Sequence, residues 1–309
     1  MTTIRPPFPA VIDSSLLAAF RSCPQKARLE FVEHFKPAEP SVHLHAGAAY
    51  ASGLEAARVA YYVNGKSPSE SEAIGVMALL KHYGDFVCPE DSAKSANRMA
   101  GALEFYFSRY PLDKDPAVPI TLPGGKRGIE INFVEPIDLE DPTMRHPETG
   151  DPLLICGRLD QAVEYQGLIL GEDDKTASQL GASWPRQWDL RSQFTCYIWG
   201  VRRLGIPLQG FLIRGVSILK TKYDTMEAIT YRPEWELDRW HQQVKRDIRR
   251  MISCWEEGYW DWNLDHACTE YGGCLFRNVC KMSDPSLLLE QQFQRRKWDP
   301  ILRTETVLV

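Results

Sequence analysis

The sequence contains no apolar run near the ~18 residues that a membrane span requires, so no membrane partner is expected of these 309 residues. The opening Met1-Thr2-Thr3-Ile4-Arg5-Pro6-Pro7 lacks the apolar core of a secretory signal, and a cytoplasmic location is the expectation that follows. Internal repeats and low-complexity segments are absent as well. There is no surplus of positive charge: 36 Lys and Arg against 41 Asp and Glu leave a net charge of −5. Any contact with nucleic acid must then come from a local basic patch. What the chain does have is an apolar content of 44%, enough for a sizeable core, and eight cysteines. Disulfides are rare in a reducing compartment, so the cysteines suggest metal or cluster ligation, with buried free thiols as the plain alternative.

The length suits two domains of ~150 residues or one large one. Helices are predicted from Ser14 behind an Asp13 cap, from Pro24 to about Phe35, and over Gly47–Val63. Further helices are predicted from Ser69, with Glu72 completing a capping box, to about Tyr83, and over Asp91–Tyr110. After a Pro-containing loop, Gly128–Val134 alternates as a strand does, and an acidic loop covers 136–152. Beyond the central stretch described next, a helix is expected over Pro185–Leu204, closed by Gly205, with Leu190, Phe194, Tyr197, Ile198 and Val201 on its apolar face. Strands at Phe211–Leu219 and Met226–Tyr231 precede a long helix from Pro233 to about Tyr259. That helix carries Arg239, Lys245, Arg246, Arg249 and Arg250, a solvated face or a phosphate contact.

The most informative stretch is Leu153–Thr176, two apolar, β-rich runs hinged at Gln166-Gly167. A glycine between two such runs is a hairpin signal. If the loop has even length, counting outward from it sets Asp160 opposite Asp173 and Arg158 opposite Lys175. Side chains alternate faces along a strand, so these four share one face while Glu172 and Asp174 point to the other. Carboxylates directly opposite each other repel. A divalent cation between them removes the conflict, and hard oxygen ligands suit Mg²⁺ or Mn²⁺. A lysine one step along can orient a water or offset negative charge, the equipment of metal-assisted phosphodiester hydrolysis. Gln193 and Tyr197 stand four apart and so share a face of the following helix.

Taken in order, Gly157-Arg158-Leu159-Asp160, Asp173-Asp174-Lys175-Thr176 and Gln193-x-x-x-Tyr197 resemble the RecB/AddB-like PD-(D/E)XK nuclease family. The likeness is strongest to its iron–sulfur members, the AddB-type, CRISPR-associated and phage-encoded exonucleases. It spans about Ser14 to Cys280. The resemblance implies a restriction-endonuclease-like α/β fold, a mixed sheet flanked by helices, with a helical N-terminal region. It implies a single nuclease domain over 1–285 and a C-terminal tail over 286–309. It implies metal held by Asp160 and Asp173, catalytic assistance from Lys175, and a DNA path lined by Gln193 and Tyr197. The expected activity is metal-dependent DNA hydrolysis, of exonuclease type, on single strands or duplex ends, in recombination, repair or processing. The alternative is a catalytically idle DNA-binding or assembly module that keeps the fold.

One motif departs from the family. Its usual Gly-x-x-x-His, followed by Leu-Glu, reads Gly47-Ala48-Ala49-Tyr50-Ala51-Ser52-Gly53-Leu54-Glu55 here, with Ala51 in the histidine slot. Glu55 is kept and is expected to be a third carboxylate at the metal. His43 and His45 are expected to sit before the helix. Cys268, Cys274 and Cys280 are evenly spaced around Gly272-Gly273, and Cys23 stands alone at the other end. Four thiolates are what a [4Fe–4S] cluster needs, and the resembling nucleases use this one-plus-three arrangement. Their first gap is shorter, and four-cysteine zinc stays open. Ligation across so long a loop would act as a structural staple. Cys88, Cys156, Cys196 and Cys254 have no companions and are expected to be core thiols.

Overall fold

The computed structural model describes residues 5–39, 41–269 and 273–308. The chain divides into two compact units, one made of Met1–Glu39, Phe133–Gly157 and Glu234–Val309, the other of Pro40–Asn132 and Arg158–Pro233. A short strand β1 (Val11–Ile12) leads into α1 (Ser14–Ser22), whose N-cap Asp13 accepts the Leu16 N–H at 2.7 Å. Pro24 opens α2 (Pro24–Ala27), where its missing N–H costs no helical bond. A π-type turn follows to Val32, and β2 (Phe35–Pro37) takes the chain out.

The next helix, α3 (Val42–Arg58), begins ahead of Gly47, so His43 and His45 lie in its first turn rather than before it. His45 is held there by a 2.9 Å hydrogen bond to the Tyr83 carbonyl. The box that starts α4 (Pro68–Tyr83) is Ser67 with Glu70, not Ser69 with Glu72. Pro68 decides this, because proline fits the first helical position and leaves the residue before it extended. α5 (Ala96–Arg109) starts behind Ser95, later than Asp91.

Strands β3 (Val118–Pro119), β4 (Ile129–Pro136), β5 (Leu154–Tyr165) and β6 (Leu168–Ala177) follow. The expected helix from Pro185 is interrupted. Pro185–Trp188 makes a 3₁₀ turn, and the α-helix α6 runs only over Ser192–Arg203. Leu190, read as part of its apolar face, sits in the break and is 83% exposed. Then come β7 (Gly210–Ile218), β8 (Tyr223–Tyr231), α7 (Glu234–Glu257), α8 (His266–Thr269), α9 (Arg277–Cys280), α10 (Ser286–Gln292), β9 (Phe293–Asp299) and β10 (Thr304–Val307).

One sheet has the order β1-β5-β6-β7-β8, with β3 and β4 also paired to β5. It is mixed: β6 and β7 run parallel, as do β1 and β5, while β5/β6 and β7/β8 are antiparallel. β4 and β5 run through both units. In the second unit, alternation along β7 sends Phe211 to one face, where it stacks on Phe194 of α6 with ring centroids 4.7 Å apart. Val216 and Ile218 face the other way and join the core built by α3, α4 and α5. The sheet is thus flanked by helices on both faces. In the first unit, β9 pairs with β2 and β10 in a separate three-stranded sheet. Phe276 stacks on Phe293 there, within a small core that also holds Leu29 and Phe35. No helix among the described residues is long and apolar enough to cross a membrane.

Three of the five basic residues singled out on α7 have acidic partners. Lys245 lies 2.8 Å from Asp138, Arg249 lies 2.7 Å from Asp141, and Arg250 lies 2.7 Å from Asp261. The acidic loop over 136–152 is the counter-surface for this helix rather than a free segment.

Candidate functional site

Both residues of the Gln166-Gly167 turn have positive φ, 52° and 77°, as a two-residue turn between twisted strands requires. That fixes the register: Tyr165 pairs with Leu168 and Gln161 with Glu172. Asp160 is the next position on β5, across from Asp173. Here the backbone ladder gives way to a side chain, and the Asp160 carboxylate accepts the Asp174 N–H at 3.3 Å. The Lys175 ammonium lies 2.5 Å from the Asp173 carboxylate.

Asp173 is buried and Asp160 half-buried. Burial, then the charges of Asp173, Asp174 and Glu130, hold the Asp160 carboxyl well above its ordinary range. Burial also raises Asp173, against the pull of Lys175. Burial alone would lower the Lys175 ammonium, but Asp173 and Asp160 hold it above its usual value. It stays protonated at neutral pH. Tyr197 lies within the influence of Asp173 and Asp160, and its hydroxyl, raised mainly by burial, accepts from the Gln193 amide at 3.0 Å. Asp160, Asp173, Lys175, Gln193 and Tyr197 therefore converge.

Glu55 takes a different place. Its carboxylate pairs with Arg158 at 3.2 Å and is partly exposed. The same guanidinium also pairs with Glu130. Glu130, whose charge acts on Asp160, is a carboxylate that sequence reasoning missed. It has φ 55°, a strained backbone for a residue with a side chain, at the start of β4. Nothing in the alternation of β4 marks it. Ala51 lies on α3, exposed, one turn before Glu55.

The reverse face of β6 carries a buried ion network. Arg58 reaches Glu172 at 2.6 Å and Asp174 at 2.7 Å. Arg214 reaches Asp115 at 2.7 Å and Glu227 at 2.9 Å. Burial raises the Glu172 carboxyl, and Arg214 and Arg58 pull it back. Asp173 and Lys175 thus alternate along β6 with two carboxylates locked from behind.

No family model matches this chain, and no curated protein matches it. Solved structures similar to it include the following two. One is a "Putative exonuclease" from Eubacterium rectale, at a TM-score of 0.45 and 15% identity, covering 84% of this chain and 87% of that one. The other is SSO0001, at a TM-score of 0.35 and 11% identity, covering 90% and 89%. At these values neither likeness bears on activity.

The four cysteines singled out by spacing line one small cavity of about 30 Å³, together with Trp262 and Phe276. Cys23 accepts the Asn263 N–H at 3.5 Å, and the Cys274 N–H donates to the Cys268 carbonyl at 3.2 Å. Gly273, at φ 103°, makes the turn between those two cysteines, and Gly272 lies outside the described residues. Burial and the neighbouring thiols of Cys274, Cys23 and Cys268 push the Cys280 thiol up to about 11. Cys156, Cys196 and Cys254 are buried free thiols, and Cys88 is half-buried. Among the described residues, no group of three or more His, Cys, Asp or Glu stands in ready geometry for a metal ion.

Proposed function

We propose that this chain is a metal-dependent DNA nuclease, of exonuclease type, acting in recombination, repair or processing of DNA. The observation that supports this reading is the pair of crowded carboxylates, Asp160 and Asp173, with Lys175 on the second. The donors fit a hard divalent cation. They are carboxylate oxygens on adjacent strands, and the Asp173 charge raises the proton affinity of Asp160, a conflict that Mg²⁺ or Mn²⁺ would relieve. Asp160 and Asp173 would hold it, with Glu55 or Glu130 as the third carboxylate once Arg158 lets go. When bound, such an ion activates water and polarises a phosphodiester.

The chain's own groups do the rest. Lys175, held protonated, orients the attacking water and offsets charge developing on the phosphoryl oxygens. The Gln193 amide and the Tyr197 hydroxyl present hydrogen-bonding groups beside the carboxylates, where they can position a phosphate or a base edge. The Arg58–Glu172–Asp174 network holds β6 in register, so that Asp173 and Lys175 share the outward face.

Cys23, Cys268, Cys274 and Cys280 are read as ligands of one [4Fe–4S] cluster, a structural staple rather than a reaction centre. Their convergence on one cavity supports this reading. The same four thiolates would also suit a single zinc ion, the alternative reading.

End-labelled linear and circular DNA, single- and double-stranded, incubated with Mn²⁺ tests the hydrolytic reading. Linear substrate should be degraded, and Lys175→Ala should lose ~10²–10³-fold in rate while still binding DNA. Binding without any metal-dependent cleavage would instead make the chain an idle DNA-binding module. Protein purified without oxygen should be brown with about four irons per chain, and Cys23→Ser should bleach it. Colourless protein with one zinc per chain would decide for zinc.

A further inference from the structure

We propose that two copies of this chain pair through α4, antiparallel, about a two-fold axis at the level of Gly75 and Val76. The pairing does not depend on the nuclease reading. One face of α4 is spent within the fold. Ser71, Gly75, Leu79 and Tyr83 are buried, and Leu79 and Tyr83 belong to the core shared with α3 and α5. The opposite face is bare. Glu70, Ala73, Ile74, Met77, Leu80 and Lys81 are all exposed, and their spacing sets them in one stripe along the helix. Met77, at its middle, is 70% exposed. Apolar side chains scattered singly over a surface are ordinary, whereas a stripe at helical spacing, closed by a charge at each end, suits a partner helix.

The charges select a second copy as the partner. The stripe is acidic at its start, Glu70, and basic at its end, Lys81. Among the described residues no acid pairs with Lys81 and no base pairs with Asp85, just beyond the helix. An antiparallel copy of the same helix answers both ends at once. Ile74 of one copy comes level with Met77 of the other, and Glu70 comes level with Lys81, each contact occurring twice as two-fold symmetry requires. The match continues past the helix ends, where exposed Lys66 comes level with exposed Asp85. Exposed Val63 and Val87 stand close to one another's level in the same way. Other registers are penalised. Sliding one copy by a helical turn sets Glu70 level with Asp85 in one direction and Lys81 level with Lys66 in the other. A parallel pair sets Glu70 against Glu70 and Lys81 against Lys81. Like charges brought together count against each of these alternatives, so one arrangement is left.

The experiment is sedimentation velocity on the full chain, from about 1 to about 200 µM, at low salt. One helix from each side makes a small interface, so wild type should pass reversibly from monomer to dimer within that range. Met77→Lys places a charge at the centre of the stripe and should leave the protein monomeric throughout. Its side chain is exposed, so its melting temperature should match that of monomeric wild type. Lys81→Glu turns two attractive pairs into repulsive ones and should raise the dissociation constant about tenfold. Adding Glu70→Lys to Lys81→Glu exchanges the two charges and should bring the constant back to within about threefold of wild type. That second change also removes the Ser67–Glu70 capping bond, so the double variant should melt lower while it pairs better. A wild type that stays monomeric at every concentration would overturn the pairing. So would a dimer that Met77→Lys leaves unchanged, because another face would then hold it. A double variant no tighter than Lys81→Glu alone would overturn the antiparallel register.

Discussion

Asp160 and Asp173 are held on adjacent strands at a cost to the metal-free fold, because burial raises both carboxyls and the Asp173 charge raises Asp160 further. Removing one of them should end hydrolysis and also relieve that cost. Asp160→Asn is therefore expected to abolish Mn²⁺-dependent cleavage and to melt at the same temperature as the wild type or higher, measured without added metal. Lower melting together with lost activity would point to a packing role. Asp174 obeys a different logic. Its side chain faces the opposite way, and it pairs with buried Arg58 at 2.7 Å. Asp174→Ala should keep the chemistry and lose ~1–3 kcal/mol of stability, because a buried donor is left short of a partner. Urea unfolding beside a cleavage assay at low temperature separates the two effects. Neighbours on one strand thus divide between site and scaffold. The alternation of β6 made that division legible in the sequence. The identity of the scaffold partner, Arg58 at the end of α3, was not, because that residue is distant in sequence: its contact with Glu172 on the same strand is made across 114 residues.

At the scale of elements, α3 and α4 cross by backbone contact. A Cβ placed on Gly75 would lie 2.7 Å from the Gly53 carbonyl oxygen and 2.9 Å from the Ala57 Cβ. Neither can move without moving its helix. Gly75→Ala should gain up to about 1 kcal/mol of helix propensity and lose ~1–3 kcal/mol by overpacking. The net expectation is a lower urea midpoint. α3 also carries Glu55 and Arg58, so cleavage should fall with it. A raised midpoint would mean that the crossing tolerates separation. The sequence showed an Ala-rich helix here, but not which glycines touch, since that depends on which two helices meet. α6 gives the opposite lesson. Its apolar periodicity carried the expectation back to Pro185, whereas the chain breaks at Asp189–Arg191, where Leu190 is exposed and Arg191 caps the helix. Periodicity counts residues and does not see a cap whose partners are backbone groups.

At the scale of the molecule, α7 is tied to the 136–152 loop through Asp138 and Asp141. Hydrogen bonds from Thr143, outweighing burial, and then Lys245 and Arg249 hold the Asp141 carboxyl below its ordinary value of 3.8. A carboxyl lowered in the folded state contributes stability that is complete above the unfolded value and is lost as pH falls through the folded one. Asp141→Asn should therefore lower the melting temperature at about pH 6, and the gap to wild type should close toward about pH 2. A constant gap across that range would assign the effect to something other than ionisation. By itself the sequence determined the β5–β6 hairpin, its register and the face shared by Asp160, Asp173 and Lys175. A two-residue turn and strict alternation are local and leave one solution. It also singled out the four cysteines that line one cavity, because their residue type is scarce enough for spacing to carry information. Only the tertiary structure decided that Glu55 is taken by Arg158, that the charge of Glu130 acts on Asp160 and that Lys245, Arg249 and Arg250 of α7 pair with Asp138, Asp141 and Asp261. Charges choose partners by distance in space, and no periodicity along a chain records that distance.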